Sequence, residues 1–357
     1  MPALDPHERP PERIRNIYKR YQKMKSDDLE KDTAILDLER LRAGGVDPGG
    51  KLRLVDEWHH QHLTATFRRF GGDHPAAAYP TQTSRIPVYE HDDMPGLLIV
   101  PSLLPPETQL ALLSRLLHRD LAQPSHLTNI HTHYHLSYPP SASSFFTLPP
   151  TSPAPVAHPK DPTVHRPLNI SQLLNKKLRW TTLGGQYDWT AKRYPDATPP
   201  SFPSDVKDLL EAMFTNTKAE AAIVNLYSPG DTLSVHRDVA ESSDTGLISV
   251  SLGCDAIFVV GTSSESPATT NETGDASSTI PTGERVLAIR LRSGSAVYMS
   301  GASRFAWHGV PQIVPNTCPA YLESWPAGQG KDDTKFEAWR GWMARKRINV
   351  NVRQMWD

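Results

Sequence analysis

A mainly β architecture with flanking helices is what this sequence predicts, and two observations carry the prediction. Short segments rich in Val, Ile, Leu and Tyr recur at 221–227, 232–238, 247–252, 255–260, 285–292, 295–299, 319–323 and 347–353. They are bounded by Gly, Pro, Ser and Asp, with no helical repeat between them. Proline is in excess, 33 of 357 residues against a usual ~5%, which argues against long helices. Thirteen of the 33 lie between Pro139 and Pro203, so few interrupt the strands. The pattern favours a sandwich, barrel or jelly roll over a parallel α/β sheet.

Along the chain, residues 11–25 put Ile14, Ile17, Tyr18, Tyr21 and Met24 on one stripe with Arg and Lys between them. That spacing predicts a basic amphipathic helix docked on the domain. The rest of 1–85 reads as helix and linker ahead of a domain at 86–357. Within that domain, 96–100 reads as a buried strand and a Pro-rich turn follows. A helix at about 105–118 comes next, with Pro105 near its first turn and Glu107 close behind. Residues 138–167 hold nine prolines among Ser and Thr and read as a loop or disordered insert. A second low-complexity stretch, 261–284, reads as an enlarged hairpin loop.

Composition narrows the function. With 38 Lys+Arg against 39 Asp+Glu, binding to nucleic acid or membrane by bulk charge is excluded, so any basic footprint must be local. Cys254 and Cys318 are too few for a disulfide framework or a zinc-finger set. They are expected to be buried thiols in a reducing, intracellular compartment. The most apolar run, Gly96 to Leu104, is short and holds Pro101, so no membrane span is expected. Asp5, Glu8 and Glu12 occupy the place of a secretory h-region. Nothing distinguishes nucleus, cytoplasm and mitochondrion.

The segment 221–238 carries the most chemistry. Pro229-Gly230 suits the centre of a type II turn, so strands flank it. Alternation on the second strand places His236 and Asp238 side by side, as two ligands of one metal require. The candidate third ligand is His308. Two imidazoles and one carboxylate form the facial triad of non-haem Fe(II) oxygenases, with positions left open for cosubstrate and O₂. At 347–353 the alternation is unbroken, with Arg347, Asn349, Asn351 and Arg353 on one face. The arginines stand ~20 Å apart along the strand. Reaching inward, they leave a gap near the length of a small dicarboxylate, which guanidinium groups hold by bidentate pairing. Asn225 and Tyr227 share a face and could bond the same ligand.

Around residues 176–194, Lys176, Lys177, Arg179, Lys192 and Arg193 surround Trp180, Tyr187, Trp189 and Tyr194. Basic groups can follow phosphates while aromatics stack bases. The histidine run at 126–135 lacks a carboxylate or cysteine partner and reads as lining of the substrate face.

In order, the motifs N-x-Y-x-P-G, H-x-D, a distal His and R-x-N-x-x-x-R resemble the AlkB family of Fe(II)/2-oxoglutarate dioxygenases over about 95–355. KLRWTTLGGQYDW (177–189) and FPSD (202–205) look most like its homologue 1 branch. The resemblance implies a double-stranded β-helix (jelly roll) and iron ligands His236, Asp238 and His308. It implies that Arg347, Tyr227 and Asn349 hold the distal carboxylate of 2-oxoglutarate, and that Arg353 and Asn225 attend the end nearer the iron. Trp180, Tyr187 and Arg179 would meet the substrate. The implied activity is oxidative demethylation of N-methylated bases in RNA or DNA by a monomer that needs no membrane. A protein-directed oxygenase and a non-catalytic nucleic-acid-binding module are the alternatives. In one departure, Ala240 stands where bacterial-type members carry a base-contacting acid, with Glu241 next.

Overall fold

In the computed structural model the described residues are 4–5, 7–45, 47, 49–72, 85–141, 143–189, 191, 193–263, 283–328 and 334–356. Among them lie strands β1 (Ile35–Leu36), β2 (Leu52–His59), β3 (Arg85–His91), β4 (Met94–Val100), β5 (Tyr134–Leu136), β6 (Pro155–Pro159), β7 (Leu168–Asn169) and β8 (Trp180–Gly184). The second half of the chain contributes β9 (Ala221–Tyr227), β10 (Leu233–His236), β11 (Leu247–Gly253) and β12 (Ala256–Thr262). It continues with β13 (Arg285–Leu291), β14 (Ala296–Met299), β15 (Trp307–Ile313) and β16 (Arg347–Arg353).

Two sheets frame the core. One runs β1-β13-β12-β15-β10, the other β2-β3-β4-β14-β11-β16-β9-β8. From β9 onward the chain passes between them, with β9, β11, β14 and β16 in the larger sheet and β10, β12, β13 and β15 in the smaller. The result is a mixed α/β fold in which β16 lies between β11 and β9. Ile348, Val350 and Val352 are buried on one of its faces, and Arg347, Asn349 and Arg353 are buried on the other. A solvated edge strand is thereby ruled out for 347–353. Tight turns keep the sheets in register. The turn after Tyr227 is closed by Asp231 N donating to Ser228 O over 2.9 Å, and Gly230 takes φ +96° as a type II turn requires. Between β11 and β12, Gly253 has φ +85°, and a Cβ there would lie 2.3 Å from the Lys346 carbonyl oxygen.

Helix α1 (Glu12–Lys23) docks as its stripe predicts. Ile14 and Tyr21 are buried with Ile257, Val259 and Trp307 of the smaller sheet, and Ile17 and Met24 pack at the margin. The remainder of 1–85 is more than helix and linker, because β1 joins the smaller sheet and β2 the larger. β1 is only Ile35–Leu36, and β2 mixes Arg53, Asp56 and Glu57 with its apolar residues, so pairing to neighbours supplies what the local pattern lacks.

Three further expectations are corrected. The Pro-rich stretch 138–167 folds into part of a third sheet, β5-β6-β7. Pro155 and Pro159 sit at the ends of β6, where a missing N–H is tolerated. Phe146 is held edge-on by Trp325, Trp339 and Trp342 at 5.1–5.4 Å, and Trp339 Nε1 donates to Leu148 O. Residues 319–323 hold a short helix, Ala320–Glu323, following Pro319 at its N-cap. The strand 307–313 is absent from the expected set because Gly309 and Pro311 hide it. Most of the 261–284 stretch falls outside the described residues, although the pairing of Thr262 with Arg285 makes β12 and β13 a hairpin. No described helix is long and apolar enough to cross a membrane.

Candidate metal centre

His236 ends β10, and antiparallel pairing with β15 sets it directly opposite His308. The strand stops there, so Asp238 lies in the following loop and not, as alternation predicted, on the strand itself. It still meets both histidines. Its carboxylate oxygens are 3.7 Å from His236 Nε2 and 3.7 Å from His308 Nε2. One ligand atom from each of the three residues lies within 4.8 Å of the others. Among the described residues no other group of three His, Cys, Asp or Glu comes together in this way. Each imidazole is oriented from behind, as His236 Nδ1 donates to Ser234 O and His308 Nδ1 donates to Ala306 O. Both Nε2 lone pairs are thereby left for a metal.

Electrostatics hold these groups in ligand form. Burial alone would raise the Asp238 carboxyl, but Arg353 above all, with the two histidines, keeps it well below the usual carboxylate range. His308 is pushed down to about 4, first by burial and then by His236, against the pull of Asp238. In metal-free protein the unfolded chain takes up a proton on an ordinary imidazole below about pH 6.5. The folded chain does so only near 4, so stability present above 6.5 is lost as pH falls through that window. Between pH 7 and pH 5, urea unfolding of the apo wild type should lose about 2 kcal/mol more than that of His308→Gln. Equal losses would mean that His308 is not held neutral.

Behind Asp238 runs a buried chain of charges. Arg353 Nη2 donates to Asp238 Oδ2 at 2.8 Å, and its Nε pairs with Glu241 at 3.0 Å. Glu241 pairs in turn with Arg304 at 3.2 Å, both side chains being 2% exposed. Arg304 also donates to the carbonyls of Asp238 and Thr245. Neither Glu241 nor Arg304 stands out in the sequence as part of this chain. The one available signal is an arginine inside the otherwise apolar approach to His308. Held by two arginines, the Glu241 carboxylate does not replace the base-contacting acid missing at Ala240. Arg353, expected at a cosubstrate carboxylate, is engaged by protein carboxylates through the Nη2 hydrogen bond to Asp238 and the Nε ion pair with Glu241, while Nε and Nη1 have no hydrogen-bond partner.

Arg347 is 1% exposed and pairs in register with Tyr227, as Asn349 does with Asn225. Its Nη atoms donate to Cys254 O, Leu291 O and Ser251 Oγ. Burial brings it down to about 10, so it is a cation at neutral pH. Arg347 Nε and Tyr227 Oη are both buried without a hydrogen-bond partner. A buried cation and hydroxyl lacking acceptors fit the carboxylate of a bound diacid. Asn349 donates to Ser249 Oγ and Val250 O. Cys254 and Cys318 are buried free thiols, as expected.

A cavity of about 370 Å³ opens onto His236, Asp238, Arg353 and Asn225, with Tyr187, Trp189 and Tyr194 on its walls. Of the expected substrate residues, Tyr187 lines this cavity. Trp180, on β8, stands behind Trp189 at 5.5 Å. Arg179 turns away into an ion pair with Asp231 at 2.6 Å. Arg193 is described nearby, whereas Lys192 falls outside the described residues. In the histidine run, His131 is engaged locally, its Nδ1 accepting from Thr128 N and its Nε2 lying 2.9 Å from Tyr138 Oη.

Comparison with known proteins adds a lineage to this geometry. Residues 96–353 match the family described as the 2OG-Fe(II) oxygenase superfamily. The N6-methyladenosine RNA demethylase ALKB1 of Pyricularia oryzae is 44% identical over 99% of this chain and 98% of its own. The N6-methyladenosine RNA demethylase ALKBH of Cryphonectria parasitica is 50% identical over 64% of this chain and the whole of its own. The tRNA demethylase abh1 of Schizosaccharomyces pombe is 40% identical over 75% of this chain and 82% of its own.

Proposed function

The chain belongs to the AlkB family of Fe(II)/2-oxoglutarate dioxygenases, and from that premise we propose that it oxidatively demethylates N-methylated bases, with N6-methyladenosine in RNA as substrate. Fe(II) and 2-oxoglutarate are its cofactors. The observation that carries the reading is one cavity on which His236 and Asp238 meet Tyr187 and Trp189. Two of the three proposed metal ligands and two aromatic side chains thus line one cavity. The alternation of β9 to β16 between two facing sheets supports reading the core as a double-stranded β-helix, with 86–357 as the oxygenase domain and β1 and β2 as additions to its sheets.

With both cofactors bound, such a centre couples O₂ reduction and decarboxylation of 2-oxoglutarate to succinate and CO₂ with oxidation of the methyl group, which leaves as formaldehyde. The side chains have separate tasks. His236, Asp238 and His308 would hold the metal, a three-ligand set that leaves positions for cosubstrate and O₂. Arg347 Nε and Tyr227 Oη would donate to the distal carboxylate as their missing acceptor, with Asn349 and Asn225 beside them in register. Arg353 prevents Asp238 from rotating. Tyr187 and Trp189, whose rings meet edge to face at 4.9 Å, would offer a flipped or single-stranded base an aromatic surface to stack on, with Trp180 behind Trp189.

Formaldehyde release and mass spectrometry over oligonucleotides carrying single methylated bases test this directly. N6-methyladenosine RNA should turn over only with Fe(II) and 2-oxoglutarate present. Turnover of methylated histone peptides, with none of any methylated RNA or DNA, would favour a protein substrate and sink the reading.

A further inference from the structure

Acidic residues are unevenly spread along this chain. Between Asp120 and Asp188 the only carboxylate is Asp161, although the chain has 39 Asp+Glu in all. The same stretch holds six of the 15 histidines and five Lys or Arg. Its lone carboxylate is occupied locally, accepting from Thr163 N and Thr163 Oγ1. Near-zero net charge for the whole chain therefore conceals a long segment with almost no negative charge.

The fold gathers this segment on one surface. In the three-stranded sheet, His135 is the cross-strand partner of His158, and the His133 and His165 rings lie 4.7 Å apart. His133, His135, His158, Lys160 and Arg166 are exposed. The turn before this sheet is tied to the start of β8 by direct hydrogen bonds. Lys160 N donates to His133 O. Asn129, in the turn before β5, donates to Lys177 O and accepts from Arg179 N at the start of β8. Thr128 also bridges Thr181 as an extra piece of the β8 edge. A path of cationic and imidazole groups thus leads from Trp180, through exposed Lys177 and Arg179, onto the face of β5 and β6.

We propose that this face docks the single-stranded RNA that flanks the methylated nucleotide. The inference rests on the nucleic-acid reading above and extends it to a surface outside the cavity. Lys160 and Arg166 would meet phosphates, while the exposed imidazoles offer rings for stacking and N–H groups for 2′-hydroxyls and base edges. A base held in the cavity leaves its strand on the Trp189–Trp180 side, and the acid-poor segment, with Asp161 its one carboxylate, lies beyond β8.

The test compares a short methylated RNA, spanning only the target and its immediate neighbours, with a long one centred on the same base. The variant Lys160→Glu with Arg166→Glu is made in the full chain. Its Kd for the long RNA should rise roughly tenfold or more, and the slope of log K against log salt should shrink by about 1.4, some 0.7 for each phosphate that is no longer neutralised. Formaldehyde release from the short RNA should stay at the wild-type level. Lys160 Nζ also holds the His131 carbonyl, so a second variant, Arg166→Glu with His135→Ala, leaves that bond intact and should weaken long-RNA binding in the same direction. Long-RNA affinity and salt slope unchanged in both variants, with short-RNA turnover intact, would overturn the surface alone. A wild type that demethylates neither RNA would overturn the functional reading and this surface with it.

Discussion

Asp238→Ala should abolish Fe(II)- and 2-oxoglutarate-dependent turnover, with a loss in kcat/KM of at least ~10³-fold, about 4 kcal/mol of transition-state stabilisation. Three features make this the most damaging single change. Asp238 is the only carboxylate of the triad and sits 3.7 Å from each histidine, so two neutral imidazoles would be left to bind a divalent cation. It is also the acceptor for Arg353 Nη2, and its removal leaves that buried guanidinium aimed at the metal position. Finally, its position in a loop beyond β10 means that no neighbouring strand residue can take its place. Asp238→Asn keeps the shape and one acceptor, and should also lose iron. Purified variants are to be assayed for bound iron and formaldehyde release, with unfolding curves to show that the fold survives. Full activity in either variant would refute the ligand assignment.

Arg347→Ala should raise the KM for 2-oxoglutarate by roughly two orders of magnitude, about 3 kcal/mol, with less effect on saturated turnover. The guanidinium is buried, its Nη atoms are held by two carbonyls and Ser251 Oγ, and its Nε has no partner. That combination, a charge fixed in direction with one unfilled donor, fits the carboxylate of the proposed cosubstrate. The variant also leaves the three former acceptors without their donor, so some loss of stability accompanies the kinetic effect. Arg347→Lys separates the two, because it keeps the cation while losing the planar donor geometry. It should restore part of the stability and little of the affinity. An unchanged 2-oxoglutarate KM in Arg347→Ala would remove Arg347 from the site.

Much of this site is readable from local pattern. The turn at Pro229-Gly230, the His236–Asp238 spacing and the alternation of 347–353 are short-range signals, and the folded chain keeps each of those residues near the centre. The unreadable parts depend on distant partners. β15, which carries His308, is broken in sequence by Gly309 and Pro311, and becomes a strand because β12 and β10 pair with it on both sides. Glu241 and Arg304 are 63 positions apart, and no periodicity links them. The order in 138–167 comes from Phe146 entering an aromatic cluster of Trp325, Trp339 and Trp342, with Phe145 packed near Tyr138. Composition describes the loops there and misses the anchors. Arg179 illustrates the reverse case, in which a residue with the right charge in the right segment is claimed by Asp231 instead.

The pairing of His236 with His308 across β10 and β15 bears on how such a protein tolerates change over time. A one-residue insertion or deletion in either strand turns an imidazole to the opposite face of the sheet, so those strands cannot drift in length. Beyond β12 the register is set by the Thr262–Arg285 pair itself, and closure entropy grows by only ~0.6 kcal/mol for each doubling of the intervening length. Length variation among related chains should therefore collect at 263–284, while the chain between His236 and Asp238 keeps its single intervening residue.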